Sequence, residues 1–419
     1  MPKYIIQGGK SLAGTIAVKG AKNAALKIIP ASLLSTEPLT ITNLPAIEDI
    51  DRSLELISAL GVKVDRTADT CHLDTANITT IELDHGLANK LRASIMFVAP
   101  LLARFNEARF PHPGGCVIGA GTRPIDIFLE GFQALGAELI MEEHFYHLRA
   151  KHLIGTEYFF PIVSVTGTES LLMAAVLAKG KTVLKNAAME PEIVALANHL
   201  NNVGAKITGA GSPVIVIEGV DKISGGEITI MPDRIEAGTF AILAAAAKTK
   251  IVITNCRPDH LESLLSIFRH IGVPFETTSD TLTIKPAKQI LPYNIKTHEY
   301  PGFPTDLQSP YTVLMTQAKG SSIIHETIYD RRLLFTDMLT QMGANIIMCD
   351  PHRVVVNGPT QLRGRKLTSP DLRAGISMII AGLIAEGITE IDNIYQIDRG
   401  YEQIASRLRS LGADIKQTD

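Results

Sequence analysis

Cys116 lies in the segment Pro113-Gly114-Gly115-Cys116-Val117-Ile118-Gly119-Ala120-Gly121-Thr122-Arg123-Pro124. Its four glycines predict a mobile loop. A thiol placed there, near an arginine and outside any apolar run, is expected to be exposed and to favour its thiolate. Such a group serves as a nucleophile or a general acid. Cys71, Cys256 and Cys349 are far apart, form no C-x-x-C pair and suggest no zinc site. They read as small core residues. A second set of residues is cationic. Lys22, Arg92, Arg234 and Arg373 fall at the starts of apolar helical segments, where a positive charge opposes the macrodipole by a few tenths to about 1 kcal/mol each. Capping by Asp, Thr and Asn accounts for several neighbours, among them Asn23, Thr168, Asp233, Asp306 and Asp371. The cations are better explained by a shared anion, which makes both helix ends and charges favourable.

The elements that would carry these residues recur. Leu60-Gly61-Val62, Leu135-Gly136-Ala137, Val203-Gly204-Ala205, Ile271-Gly272-Val273, Met342-Gly343-Ala344 and Leu411-Gly412-Ala413 are copies of one element, their glycines 68 to 75 residues apart. Six units of roughly seventy residues fill the chain. In each, the glycine closes an amphipathic helix such as Ile50 to Leu60 or Glu402 to Leu411, as a C-cap tolerant of positive φ. Upstream lies a second helix, apolar nearly all round and therefore buried: Ala24 to Leu34, Ala93 to Leu102, Leu171 to Leu177, Phe240 to Ala247, Tyr311 to Thr316 and Ala374 to Ile384. Strand-like runs follow, such as Leu39 to Ile41 and Ile251 to Ile253. Three units closing around three buried helices make a globule, and six make two. The cationic helix starts then predict an anion-binding cleft between the globules.

Composition narrows the ligand. The chain has 419 residues, too many for one ordinary core. With no tryptophan and 5% aromatics it lacks stacking platforms for nucleic acid. With a net charge of -3 and no run of lysine or arginine it lacks a polyanion surface. A local cleft on such a protein can still be basic enough for a small anion. The longest apolar stretches, Ile95 to Leu102 and Ile376 to Ile384, are too short to span a bilayer. The start Met1-Pro2-Lys3-Tyr4 carries no secretory pattern, so reduced thiols and a cytoplasmic location are expected.

The cysteine loop, with Ile118-Gly119 and Arg123-Pro124-Ile125-Asp126, resembles that of the UDP-N-acetylglucosamine enolpyruvyl transferases. Gly20-Ala21-Lys22-Asn23-Ala24, Glu190-Pro191-Glu192-Ile193, Phe303-Pro304-Thr305-Asp306 and Ile397-Asp398-Arg399-Gly400-Tyr401-Glu402 match the same family in order, over nearly all of the chain. The resemblance implies an α/β fold of two inside-out α/β barrel domains, each of three repeated βαβαββ-like units, with the active site in the interdomain cleft. The expected domains are residues 21–231, with the Cys116 loop, and residues 1–20 with 232–419. It also implies transfer of the enolpyruvyl group of phosphoenolpyruvate to the 3-hydroxyl of UDP-N-acetylglucosamine, without metal or organic cofactor, for peptidoglycan precursor synthesis.

By the same resemblance Cys116 is the general acid toward carbon 3 of the donor and the target of the epoxide fosfomycin. Asp306 accepts the sugar hydroxyl proton, helix capping being its competing role. Lys22, Arg123 and Arg399 hold the donor phosphate, and Arg332 and Arg373, the latter beside Asp371, meet its other charges. Asn23 and Arg92 contact the nucleotide sugar. Pro124, Ile125, Asp126 and Ile127 cradle the uracil, Ser164 and Val165 meet the diphosphate, and Ile328 touches the sugar nucleotide. Two positions depart from the family. Ile162 stands where some members carry a lysine for the diphosphate. Between Gly119 and Arg123 the loop has two residues more than the common Cys-x-Ile-Gly-x-Arg-Pro pattern. The rivals are 5-enolpyruvylshikimate-3-phosphate synthase, which lacks this cysteine loop, and a non-catalytic UDP-N-acetylglucosamine-binding paralogue, disfavoured by the intact Lys22, Cys116, Asp306 and Arg399 set.

Overall fold

The computed structural model describes residues 2–111 and 125–418; Cys116, Arg123 and Pro124 lie outside them. The chain divides into two units. One contains residues 20–111 and 125–231, the other residues 2–19 and 232–418. Each has its own apolar core.

The same plan is used in both. Six helical segments carry the buried positions: Lys22–Ala31, Val98–Phe105 and Val165–Val176 in one unit, Arg234–Ala246, Gln308–Met315 and Leu372–Ile384 in the other. Every residue of Arg234–Ala246 is buried, as its lack of a polar stripe requires. The strands alternate instead. Leu39–Thr42 and Ile251–Thr254 bury every second residue, which puts one face of each sheet on the helices and the other toward solvent. Helices therefore fill the interior of each unit and sheets clothe it.

Within a repeat the order is buried helix, strand, outer helix, hairpin. The first repeat runs Lys22–Ala31, Leu39–Thr42, Glu48–Ala59, Lys63–Thr67 and Thr70–Asp74. The outer helix ends at a glycine of positive φ in all six copies: Gly61 at 102°, Gly136 at 94°, Gly204 at 111°, Gly272 at 80°, Gly343 at 101° and Gly412 at 95°. That conformation is cheap for glycine alone, which is why the glycine marked the period. The sixth repeat has only one strand after its outer helix, Asp414–Thr418. Its missing partner is Lys3–Gln7 from the other end of the chain, antiparallel to both Asp414–Thr418 and Ile388–Asp392. The strand before each of two buried helices is also exchanged. Gly14–Ala17, ahead of the first buried helix, pairs parallel with Ile251–Thr254. Gly226–Thr229, ahead of the fourth, pairs parallel with Leu39–Thr42.

Three local expectations are corrected. The second buried segment starts as a 3-10 turn, Arg92–Phe97, and becomes α-helical only at Val98. The last outer helix starts at Ile404, because Gln403 has a φ of 44° and breaks the run from Glu402. Cys71 and Cys256 are buried, but Cys349 is exposed. It lies where the register shifts between Met348 and Asp350 on a strand paired on one side only, next to exposed Ile347 and Met348. An edge with a bulge has no inner face at that point.

Candidate active site

In the unit of residues 232–418, Asp306 sits in the 3-10 turn Thr305–Leu307 that opens the buried helix Gln308–Met315. It makes no capping bond, so the capping role does not hold. Its carboxylate is gripped on both oxygens instead. Arg332 Nη2 donates to Oδ1 and Arg373 Nη2 to Oδ2, each at 2.8 Å. Burial works to raise the Asp306 pKa. The charges of Arg373 and Arg332 and their hydrogen bonds outweigh it and hold the carboxyl well below the usual carboxylate range. The same pairing keeps both arginines firmly protonated against burial.

Each arginine is fixed from behind. Arg332 Nη1 donates to Thr305 Oγ1 at 2.8 Å, and that hydroxyl donates to Glu326 Oε2 at 2.8 Å. Glu326 is fully buried. It also accepts from Thr297 Oγ1, from the backbone N–H of Ile328 at 2.9 Å and from that of Tyr329 at 3.1 Å. Arg373 Nη1 donates to Tyr401 Oη at 3.3 Å. Tyr401 in turn donates to Thr239, whose own hydroxyl proton goes to the Ile235 carbonyl. Asp371 Oδ1 caps its helix, accepting from the N–H groups of Arg373 and Ala374. Asp233 caps the neighbouring buried helix in the same way. Arg399 is partly buried and donates to Gln396 Oε1 at 3.2 Å. The turn holding Asp306 is set against the helix Arg234–Ala246 at Gly238, where a Cβ would come 2.5 Å from Leu307 Cδ1.

In the other unit Lys22 opens its helix, buried, with Nζ 2.7 Å from Asp49 Oδ2. Asn23 beside it is partly buried, as is Arg92 at the start of its 3-10 turn. That turn packs on the Lys22–Ala31 helix. Ser164 caps Val165–Val176 by accepting from the Gly167 N–H at 3.1 Å. Thr168, expected as the cap, lies one turn further in, beside Glu169. Thr168 accepts from the Ala188 N–H. Glu169 is fully buried 3.3 Å from Lys27 Nζ, with neither oxygen hydrogen-bonded among the described residues. Ile125 flanks and Asp126 begins the helix Asp126–Ala134; Asp126 is exposed, and Ile127 is buried with its carbonyl accepting from Tyr158 Oη. Ile162 is 56% exposed.

Asp49, Thr305, Glu326 and Tyr401 were given no role from sequence. Glu326 follows an alternating strand and looks like a loop acid. Only tertiary structure places four hydrogen-bond donors around it. Among the described residues no cluster of three or more His, Cys, Asp or Glu side chains is placed to hold a metal ion. No described helix is long and apolar enough to cross a membrane.

Each unit is an α/β shell around buried helices, and in one of them two arginines grip an aspartate at a buried helix start, an architecture that solved enolpyruvyl transferases share in its fold. The enolpyruvyl transferase NikO from Streptomyces tendae superposes with a TM-score of 0.91 at 23% identity, covering 100% of this chain and 99% of that one. EPSP synthase from Acinetobacter baumannii gives 0.77 at 16% identity with full coverage of both. These likenesses establish the fold. A family model described as EPSP synthase (3-phosphoshikimate 1-carboxyvinyltransferase) matches residues 6–408. The UDP-N-acetylglucosamine 1-carboxyvinyltransferase of Desulforapulum autotrophicum is 45% identical over 417 residues, covering 100% of both chains. UDP-N-acetylglucosamine 1-carboxyvinyltransferase 2 of Bacillus subtilis is 44% identical over 416 residues, 99% of this chain and 96% of the relative. The chain belongs to the EPSP synthase family and, within it, to the UDP-N-acetylglucosamine 1-carboxyvinyltransferases.

Proposed function

We propose that this protein transfers the enolpyruvyl group of phosphoenolpyruvate to the 3-hydroxyl of UDP-N-acetylglucosamine and releases phosphate, the first committed step of peptidoglycan precursor synthesis, in the cytoplasm. The observation that carries this reading is the end-to-end match at 45% identity to an enzyme of that name. The arginine-bound Asp306 supports it, since a buried guanidinium pair suits a small donor bearing both carboxylate and phosphate.

In the first step the sugar oxygen bonds to carbon 2 of the donor and its proton passes to Asp306. The carbon 2–carbon 3 π pair takes a proton from Cys116 at carbon 3. In the second step carbon 3 gives a proton back and the carbon 2–oxygen bond to phosphate breaks. Lys22, Arg123 and Arg399 hold the phosphate, and Arg332 and Arg373 the remaining donor charge. Asn23, Arg92, Ile125 to Ile127, Ser164, Val165 and Ile328 receive the nucleotide sugar. With Ile162 in place of a lysine, the diphosphate is met by hydroxyl and backbone N–H groups. Residues 21–231 and residues 1–20 with 232–419 act as the two domains.

The experiment is phosphate release from phosphoenolpyruvate with UDP-N-acetylglucosamine or shikimate 3-phosphate as acceptor. Release with the nucleotide sugar alone is expected. Release only with shikimate 3-phosphate would reassign the acceptor. Binding of the nucleotide sugar without release would make the protein a non-catalytic binder.

A further inference from the structure

We propose that Asp306 stands in for the donor's anion in the empty protein: it occupies Arg332 and Arg373, and phosphoenolpyruvate takes its place on those guanidiniums, releasing the carboxylate to take the sugar proton. The inference rests on the reading above, in which Asp306 is the base and the two arginines meet the donor.

A base must accept a proton, yet both Asp306 oxygens are engaged at 2.8 Å by guanidiniums, the arrangement that best stabilises the charged carboxylate. In that state an alcohol proton has no favourable place to go. The cluster also has an open side. The Asp306 side chain is 24% exposed, against 2% for Arg332 and 8% for Arg373, so a ligand reaches the grip where the carboxylate sits. The arginines are held from behind by Thr305 and Glu326 and by Tyr401 and Thr239. They therefore remain in place when their partner is exchanged. Arg332 has unused capacity as well: its Nε is buried and makes no hydrogen bond among the described residues. One carboxylate shared between two forks cannot satisfy them, whereas a donor with a carboxylate and a phosphate offers more acceptor oxygens. The acidic side chains that act most on the pair besides Asp306 are Glu326 and Asp371 on Arg332 and Asp233 on Arg373, with the phenols of Tyr329 and Tyr401 beside them. Glu326 is engaged with Thr297, Thr305 and two backbone N–H groups, and Asp371 and Asp233 each commit Oδ1 to capping their own helices. Asp306 is the carboxylate that bonds both guanidiniums, and so it is the group that competes with the donor.

The consequence runs against the usual effect of removing an active-site acid. Asp306→Asn offers one oxygen and an amide NH2 that cannot accept from the second guanidinium, so the variant should bind phosphoenolpyruvate more tightly than the wild type, by about tenfold or more, while turning over more slowly. Calorimetric titration of both proteins with phosphoenolpyruvate reads this without turnover. A dissociation constant unchanged or weakened in a folded Asn variant overturns the exchange and leaves the proposed activity intact. A wild type that binds no phosphoenolpyruvate overturns both. Because unpairing two buried arginines can unfold the variant, the wild type supplies a second measurement. With carboxyl-13C aspartate, one resonance that stays ionised to the acid limit of folding in the empty protein should move into the ordinary carboxylate range on saturation with phosphoenolpyruvate. An aspartate spectrum whose titrations do not respond to the donor overturns the proposal.

Discussion

Cys116 and Asp306 divide the proton traffic of the proposed reaction, and their substitutions separate. Cys116→Ala should abolish turnover and still allow phosphoenolpyruvate to bind, because the thiol acts on carbon 3 and the arginines hold the charge. Asp306→Asn should lower kcat by about a hundredfold or more, the usual scale of acid–base catalysis. Steady-state phosphate release checks both, and an unimpaired Asn variant removes Asp306 from the chemistry. Fosfomycin should alkylate Cys116. Peptide mapping is needed to read the result, because Cys349 is exposed and will react with indiscriminate thiol reagents. Epoxide found on Cys349 and not on Cys116 would contradict the loop assignment. The candidates for acid and base came from motifs. The environment of the candidate base was not legible there, since Arg332 and Arg373 lie 26 and 67 residues from Asp306 in the chain.

At the level of elements, the turn that presents Asp306 depends on a close approach. Gly238→Ala would improve helix propensity by about 1 kcal/mol in an open helix. Here its Cβ would meet buried Leu307 at 2.5 Å, and overpacking of that kind costs about 1–3 kcal/mol. The melting temperature and the rate should therefore both fall; a rise in melting temperature would show that Leu307 yields without disturbing Asp306. The contact between the helices Lys22–Ala31 and Val165–Val176, made by Lys27 and Glu169, should be pH-dependent. Burial pushes Glu169 up to about 7, only partly opposed by Lys27, with Glu192 and Glu190 adding to the rise. The folded state keeps a proton that the unfolded chain releases near pH 4.5, so this stability is full below about pH 4.5 and is lost as pH rises toward 7. Glu169→Gln should abolish that loss, on the order of 1–3 kcal/mol. Wild type and variant should melt alike near pH 4.5 and diverge by pH 8, with the variant higher; parallel curves would mean that Glu169 is ionised throughout. The cysteine loop makes its own prediction. Two extra residues add up to about 7 Å of chain, and Gly121 permits a bulge that absorbs it. Deleting Gly121 and Thr122 should leave an active enzyme; a collapse of activity would remove Arg123 from the phosphate site.

For the molecule as a whole, the strand exchanges set which pieces can fold. Each unit has its own core, so residues 20–231 expressed alone should melt cooperatively. Residues 232–419 alone should not. They lack Lys3–Gln7, the middle strand between Ile388–Asp392 and Asp414–Thr418, and Gly14–Ala17, the partner of Ile251–Thr254. Fusing residues 2–19 after residue 419 through a short flexible linker should restore folding. Circular dichroism melts of the three proteins decide, and a stable fragment 232–419 would mean that those strands are dispensable.

The sequence by itself determined the period, the buried helices and the family. Those signals are local: a glycine at positive φ, an all-apolar helix, a short ordered motif. It also determined which residues are candidates for the chemistry. Tertiary structure decided what those residues are bound to. Lys22 faces Asp49, Asp306 faces two arginines, and Glu326 organises one of them through Thr305. It decided as well that Asp306 caps nothing, that Thr168 is drawn inward to Ala188, and that Cys349 sits on an open edge. Each of these depends on a partner far along the chain or on the lack of a neighbouring strand. Propensity and spacing act over a few residues, whereas the energy of a buried charge is fixed by what surrounds it in space.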